Sequence, residues 1–98
     1  MLALGLEEAK AYVHNKLSEL QRMDLQVQIE GKSIVISSYE SNERIRRVLF
    51  TSVFSDEYTL CFCDHRGMWQ LLAIAGPLPQ MLEILLNEFD FVLSRQAE

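Results

Sequence analysis

The chain begins with apolar residues at helical spacing. Leu6, Ala9, Val13, Leu17 and Leu20 recur three and four residues apart, which predicts an amphipathic helix over residues 6–23. Glu7 and Glu8 fall in its first turn and Arg22 near its end, placements that suit the helix dipole. The period then drops to two. Leu25, Val27 and Ile29 alternate with Gln26 and Gln28, the pattern of a half-buried strand over 25–30. Gly31-Lys32 supplies a two-residue turn with glycine first, and the β-branched run Ile34-Val35-Ile36 continues into a second strand over 33–39.

Residues 40–43 are polar and read as a loop. The segment 45–54 is ambiguous by period, because Ile45, Val48, Leu49 and Val53 also fit a helix. Its content of β-formers (Val48, Phe50, Thr51, Val53 and Phe54) favours a strand. After a turn at 55–57, a strand is predicted over 58–63. A turn at 64–67 follows, with Gly67 free to take positive φ, and then a last strand over 68–75. Gly76-Pro77-Leu78-Pro79 breaks the pattern and opens a helix, since proline is tolerated in a first turn. Leu78, Met81, Leu82, Leu85, Phe89, Val92 and Leu93 carry that helix to about residue 94, and 95–98 are expected to fray.

The expected architecture is a single α+β domain over residues 1–98, in the order α-β-β-β-β-β-α. Short connections make its sheet a five-stranded antiparallel meander. An α-ββ-α-ββ-α layout is the alternative if 45–54 is helical.

A two-layer domain hides one sheet face and leaves the other wet. The last three strands are apolar on both faces. One face would carry Val48, Phe50, Phe54, Tyr58, Leu60, Phe62, Met68, Leu72 and Ile74; the other Leu49, Thr51, Val53, Cys61, Cys63, Trp69, Leu71 and Ala73. Three arrangements compete. One helix lies on each face, or the second face meets a partner, or the sheet curves around a small apolar ligand. The partner arrangement is the expectation. It assigns contact to Leu49, Thr51, Val53, Trp69 and Leu71, with Arg46 and Arg66 as loop arginines at the margin. A homodimer or a complex with another protein would satisfy it. The rival is a ligand pocket walled by the sheet face, with Arg46, His65 or Tyr58 holding a polar group.

Composition narrows the function classes. Ninety-eight residues, 49% of them apolar, give one small core of marginal stability, which favours association. A net charge of −5 and a pI near 5.0 disfavour nonspecific attraction to nucleic acid or anionic lipid. Arg44, Arg46 and Arg47 form the one basic cluster, with Lys32 and Arg66 joining it if the loops share an end of the sheet. No aromatic residues are interleaved with it for stacking bases, so nucleic acid is not an expected partner. No run approaches the ~20 apolar residues a membrane helix needs. The first residues lack a basic stretch and are followed at once by Glu7-Glu8, so no signal peptide is read there, and the expected compartment is the cytoplasm.

Cys61-Phe62-Cys63-Asp64-His65 is the most reactive-looking cluster. Two thiols on one strand face lie ~6.5–7 Å apart, too far for a relaxed disulfide, so they are read as free. A structural zinc site needs four ligands, and the other histidine, His14, belongs to the first helix. No base, orienting acid or oxyanion loop completes a Cys–His nucleophile. Neither a catalytic residue, a metal nor a cofactor is therefore assigned, and an enzyme is not expected.

Overall fold

The computed structural model describes residues 5–22, 24–54, 57–64 and 66–89. Its order is α1 (Leu6–Glu19), β1 (Leu25–Glu30), β2 (Ser33–Glu40), β3 (Glu43–Phe54), β4 (Glu57–Cys63), β5 (Trp69–Gly76) and α2 (Leu78–Glu88). The five strands form one antiparallel meander in sequence order. The α-β5-α reading holds, and 45–54 is strand.

Helix α1 starts where the stripe predicts, with the Glu8 carboxylate accepting from the Gly5 N–H at 3.4 Å. It stops short of Met23. Gln21 takes φ 60, and the chain closes in a Schellman turn: Arg22 N–H donates to Leu17 C=O at 2.8 Å and Gln21 N–H to Ser18 C=O at 2.9 Å. Glycine normally occupies that left-handed position, so its absence hides the stop.

The predicted loop at 40–43 is instead a tight hairpin turn. Ser41 (φ 54) and Asn42 (φ 67) are both left-handed, the signature of a two-residue turn matched to strand twist, and β3 begins at Glu43. Gly31 (φ 61) and Gly67 (φ 83) sit in the other turns as expected.

Both helices lie on the same sheet face, α1 over β1 and β2, α2 over β4 and β5. Ala9, Val13 and Leu17 from α1, and Leu78, Met81, Leu82 and Leu85 from α2, join one core with Val27, Ile36, Val48, Phe50, Leu60 and Phe62. Phe89 closes that core, its ring centroid 4.8 Å from that of Phe62. Each of these side chains larger than Ala9 contributes about 1.5–3 kcal/mol by leaving water, so this face holds the fold together. The arrangement with one helix per face is overturned. Periodicity marks the apolar side of each helix but not the side of the sheet on which it lands. The predicted extension of α2 beyond residue 89 lies outside the described residues.

Candidate interaction surface

The face away from the helices divides into two unlike halves. Over β1–β3 it is strapped by charge. Glu30 on β1 accepts from Arg44 at 2.6 Å and from Arg46 at 3.1 Å, both on β3, so the ion pairs cross β2. Hydrogen bonds from Arg44, then from Arg46, hold the Glu30 carboxyl below the usual carboxylate range. On the same face of β2, Val35 and Ser37 are fully buried. Among the described residues the Ser37 hydroxyl and Arg44 Nε find no hydrogen-bond partner there.

Arg47 goes the other way. Ile36 faces Val48 and Ser37 faces Arg46, leaving Arg47 as the extra residue of a β-bulge. It turns toward the helix side, where it is 3% exposed, donates to Ser38 Oγ at 3.0 Å and pairs with Glu40. The three arginines are therefore not one exposed basic cluster. Arg46, expected as a loop arginine at an interface, lies on a strand and is engaged by Glu30. Lys32 and Arg66 sit in turns at opposite ends of the sheet. Glu30 lies diagonally from these arginines across β2, and no sequence spacing shows such a contact.

The other half, over β3–β5, is apolar. Leu49, Thr51, Thr59, Cys61 and Cys63 form a half-buried floor, paired in register as Leu49 with Cys61 and Thr51 with Thr59. Beside it Cys61 faces Leu71 and Cys63 faces Trp69 on β5. Trp69 is 43% exposed and Leu71 66%. Val53, at the irregularity near the end of the β3–β4 ladder, is also exposed. The structure thus places Leu49, Thr51, Trp69 and Leu71 on one continuous surface, with Val53 at its rim.

Strand β5 is exposed on its helix-side face as well. Ile74 is 49% exposed, and Met68 just before the strand 58%. Among the described residues β5 has a neighbour strand on one side only. Opposite Leu60 it carries two more residues than β4, so its regular pairing is confined to Trp69–Leu71 and to Ala75–Gly76.

Asp64 organises the turn into β5. Its carboxylate accepts from the backbone N–H groups of Arg66 and Met68 at 2.9 and 3.0 Å, and from Gln70 Nε2 at 3.1 Å. The Met68 N–H above all, with help from Arg66 and Gln70, keeps its carboxyl below the ordinary range. Arg66 itself is exposed, 3.7 Å from the same carboxylate. Both cysteines are free, and burial pushes both thiols up, aided by the Cys63 neighbour at Cys61 and by Asp64 at Cys63. That direction lowers thiolate content and nucleophilicity. Among the described residues no three His, Cys, Asp or Glu side chains gather as a metal site. His65 lies outside the described residues.

Tyr58 is buried on the helix side and Arg46 lies on the opposite face, so these two do not converge on one ligand. Grooves of about 600 Å³ between α1 and β1, and of about 530 Å³ between the two helices, exclude both residues from their walls. No helix among the described residues is long and apolar enough to cross a membrane. No family model matches the chain, and no match to it was found among curated proteins or solved structures.

Proposed function

We propose that this chain is a non-catalytic protein-interaction domain that self-associates through the apolar surface around β5. One observation carries the reading: Met68, Trp69, Leu71 and Ile74 stand open to solvent on and beside a single edge strand. Scattered exposed apolar residues are ordinary, whereas a cluster of large ones marks a contact surface. Tryptophan and leucine left in water forgo burial energy that a partner would return.

The occupant is a second copy of the chain. Met68 to Gly76 contains no charged residue, while the whole chain carries −5. Two copies repel each other over most of their surface and least where charge is missing. A two-fold contact sets a patch against itself, so it needs an uncharged, self-compatible surface. In this reading the work of the domain is binding, as adaptor, chaperone or regulatory partner of another protein once assembled.

Light scattering or sedimentation at micromolar concentration tests this. A species larger than 11.3 kDa is expected for the native chain. Trp69→Arg should return it to that mass while leaving the circular dichroism of the fold intact. A native chain that stays at 11.3 kDa up to hundreds of micromolar rejects the proposal.

A further inference from the structure

We infer that the second copy joins along the open edge of β5, strand to strand and antiparallel, fusing two five-stranded sheets into one of ten. The inference rests on the self-association proposed above and specifies its geometry. It follows from which side chains are exposed. Trp69 and Leu71 point to the face away from the helices; Leu72, packed against the core, and Gly76, opposite buried Tyr58, set Ile74 between them on the helix side by alternation. A copy stacked on the outer face would cover the first two and leave Ile74 wet. A strand laid along the edge reaches both faces of β5 at once.

The backbone agrees. Asp64 N–H donates to Met68 C=O at 2.8 Å, which makes that pair the hydrogen-bonded kind. Such pairs alternate in an antiparallel ladder, so Gln70 bonds across to Phe62. Trp69 and Leu71, facing Cys63 and Cys61, turn their own N–H and C=O groups away from β4 toward the open edge. The residues with free-edge backbone groups are also the ones with exposed apolar side chains. Natural edge strands are commonly protected by a lysine, a proline, a bulge or a covering element, and the irregularity of β5 at Leu72–Ile74 leaves Trp69–Leu71 as its regular open edge. Trp69–Gly76 contains neither lysine nor proline.

The opposite edge fits worse. β1 carries Glu30 and alternates with Gln26 and Gln28. Pairing β5 with β5 closes the assembly as a dimer, whereas β5 on β1 would propagate into a filament.

Two variants and one unmodified measurement test the geometry. Ile74→Lys places a charge on the helix-side flank of the edge. Thr59→Lys places one on the outer face, a strand inward. Edge pairing predicts that Ile74→Lys sediments as a monomer and Thr59→Lys still dimerises. Amide exchange on the native chain supplies the second readout: the Trp69 and Leu71 amides should slow more than about tenfold between dilute and concentrated protein. A dimer that survives Ile74→Lys, or one whose Trp69 and Leu71 amides exchange alike at both concentrations, overturns edge pairing but leaves self-association standing. If Ile74→Lys does not fold, the amide result decides alone. A native chain that is monomeric throughout removes both.

Discussion

Leu71→Ala offers the sharpest quantitative test, because the residue is 66% exposed in the isolated chain and an edge-paired copy would cover its flank, with full cover setting the upper bound. The change removes three carbons, each contributing about 0.8 kcal/mol when taken from water. Two thirds of that, about 1.6 kcal/mol, belongs to the dimer contact, and the remaining ~0.8 kcal/mol to the fold. A two-fold interface counts the contact twice, so the dimer loses at most about 3 kcal/mol. At 1.4 kcal/mol per decade this weakens Kd by up to roughly 200-fold, and flank contact alone gives about tenfold. Sedimentation equilibrium over a broad concentration range reads the Kd. Thermal unfolding at two concentrations reads the linkage, since Tm of a folded dimer rises with concentration and that rise should nearly vanish in the variant. A Kd shifted by less than tenfold, against a native chain that does dimerise, would show that Leu71 lies outside the contact and that the reasoning from exposure is wrong.

Three further outcomes follow from the fold. Gln21→Gly should stabilise the chain by about 1 kcal/mol, because glycine takes the left-handed position at the end of α1 without strain, and Tm should rise by about 5 °C; a fall in Tm would mean that the Gln21 side chain matters more than its backbone. Glu40→Ala leaves Arg47 buried with its charge unpaired and should cost about 3 kcal/mol by urea unfolding, whereas the joint change Glu40→Leu with Arg47→Met should recover most of that loss; equal losses would show that the pair itself is stabilising. Asp64 has a carboxyl held below its ordinary range, so its ionised form supports the β4–β5 turn above that range, and the support fades as pH falls through the lowered value. Asp64→Asn should therefore lower the urea midpoint at about pH 7 and narrow its gap to the native chain by about pH 3, with parallel curves counting against the turn's dependence on this carboxylate.

Most of the framework was legible because it rests on period and on turn residues. Leu25-Val27-Ile29 and Tyr58-Leu60-Phe62 declare their inner faces by alternation, and all are buried as alternation requires except Ile29, which is partly buried against the core. The apolar outer surface was legible for the same reason: Leu49, Cys61, Trp69 and Leu71 fall on the other parity of their strands. What stayed hidden breaks a rule locally. Gln21 and Ser41 occupy left-handed positions without being glycine. The Arg47 bulge inserts one residue into β3, so Arg47 and Val48 both face the helices although alternation from Val48 would set Arg47 with Leu49 on the outer face. Glu30, Arg44 and Arg46 meet across an intervening strand, which no spacing along the chain encodes.

These hidden features explain why the two halves of the outer face differ. Val35 on β2 is as apolar as Leu49 on β3, and the two are register partners. Val35 is nevertheless fully buried, and Leu49 is only half-buried. Glu30 supplies a carboxylate on β1, and the bulge at Arg47 keeps Arg44 and Arg46 on the side that can reach it. The chain thus covers its own outer surface over β2 with side chains it already has. The charged residue of β4, Glu57, lies at its far end and Trp69–Gly76 is uncharged, so neither strand forms a second strap over Cys61, Trp69 and Leu71. A surface that could have been closed within one chain is left open where an uncharged edge also lies open. That coincidence of bare backbone, bare apolar side chains and missing charge on one strand is what the proposal of association rests on.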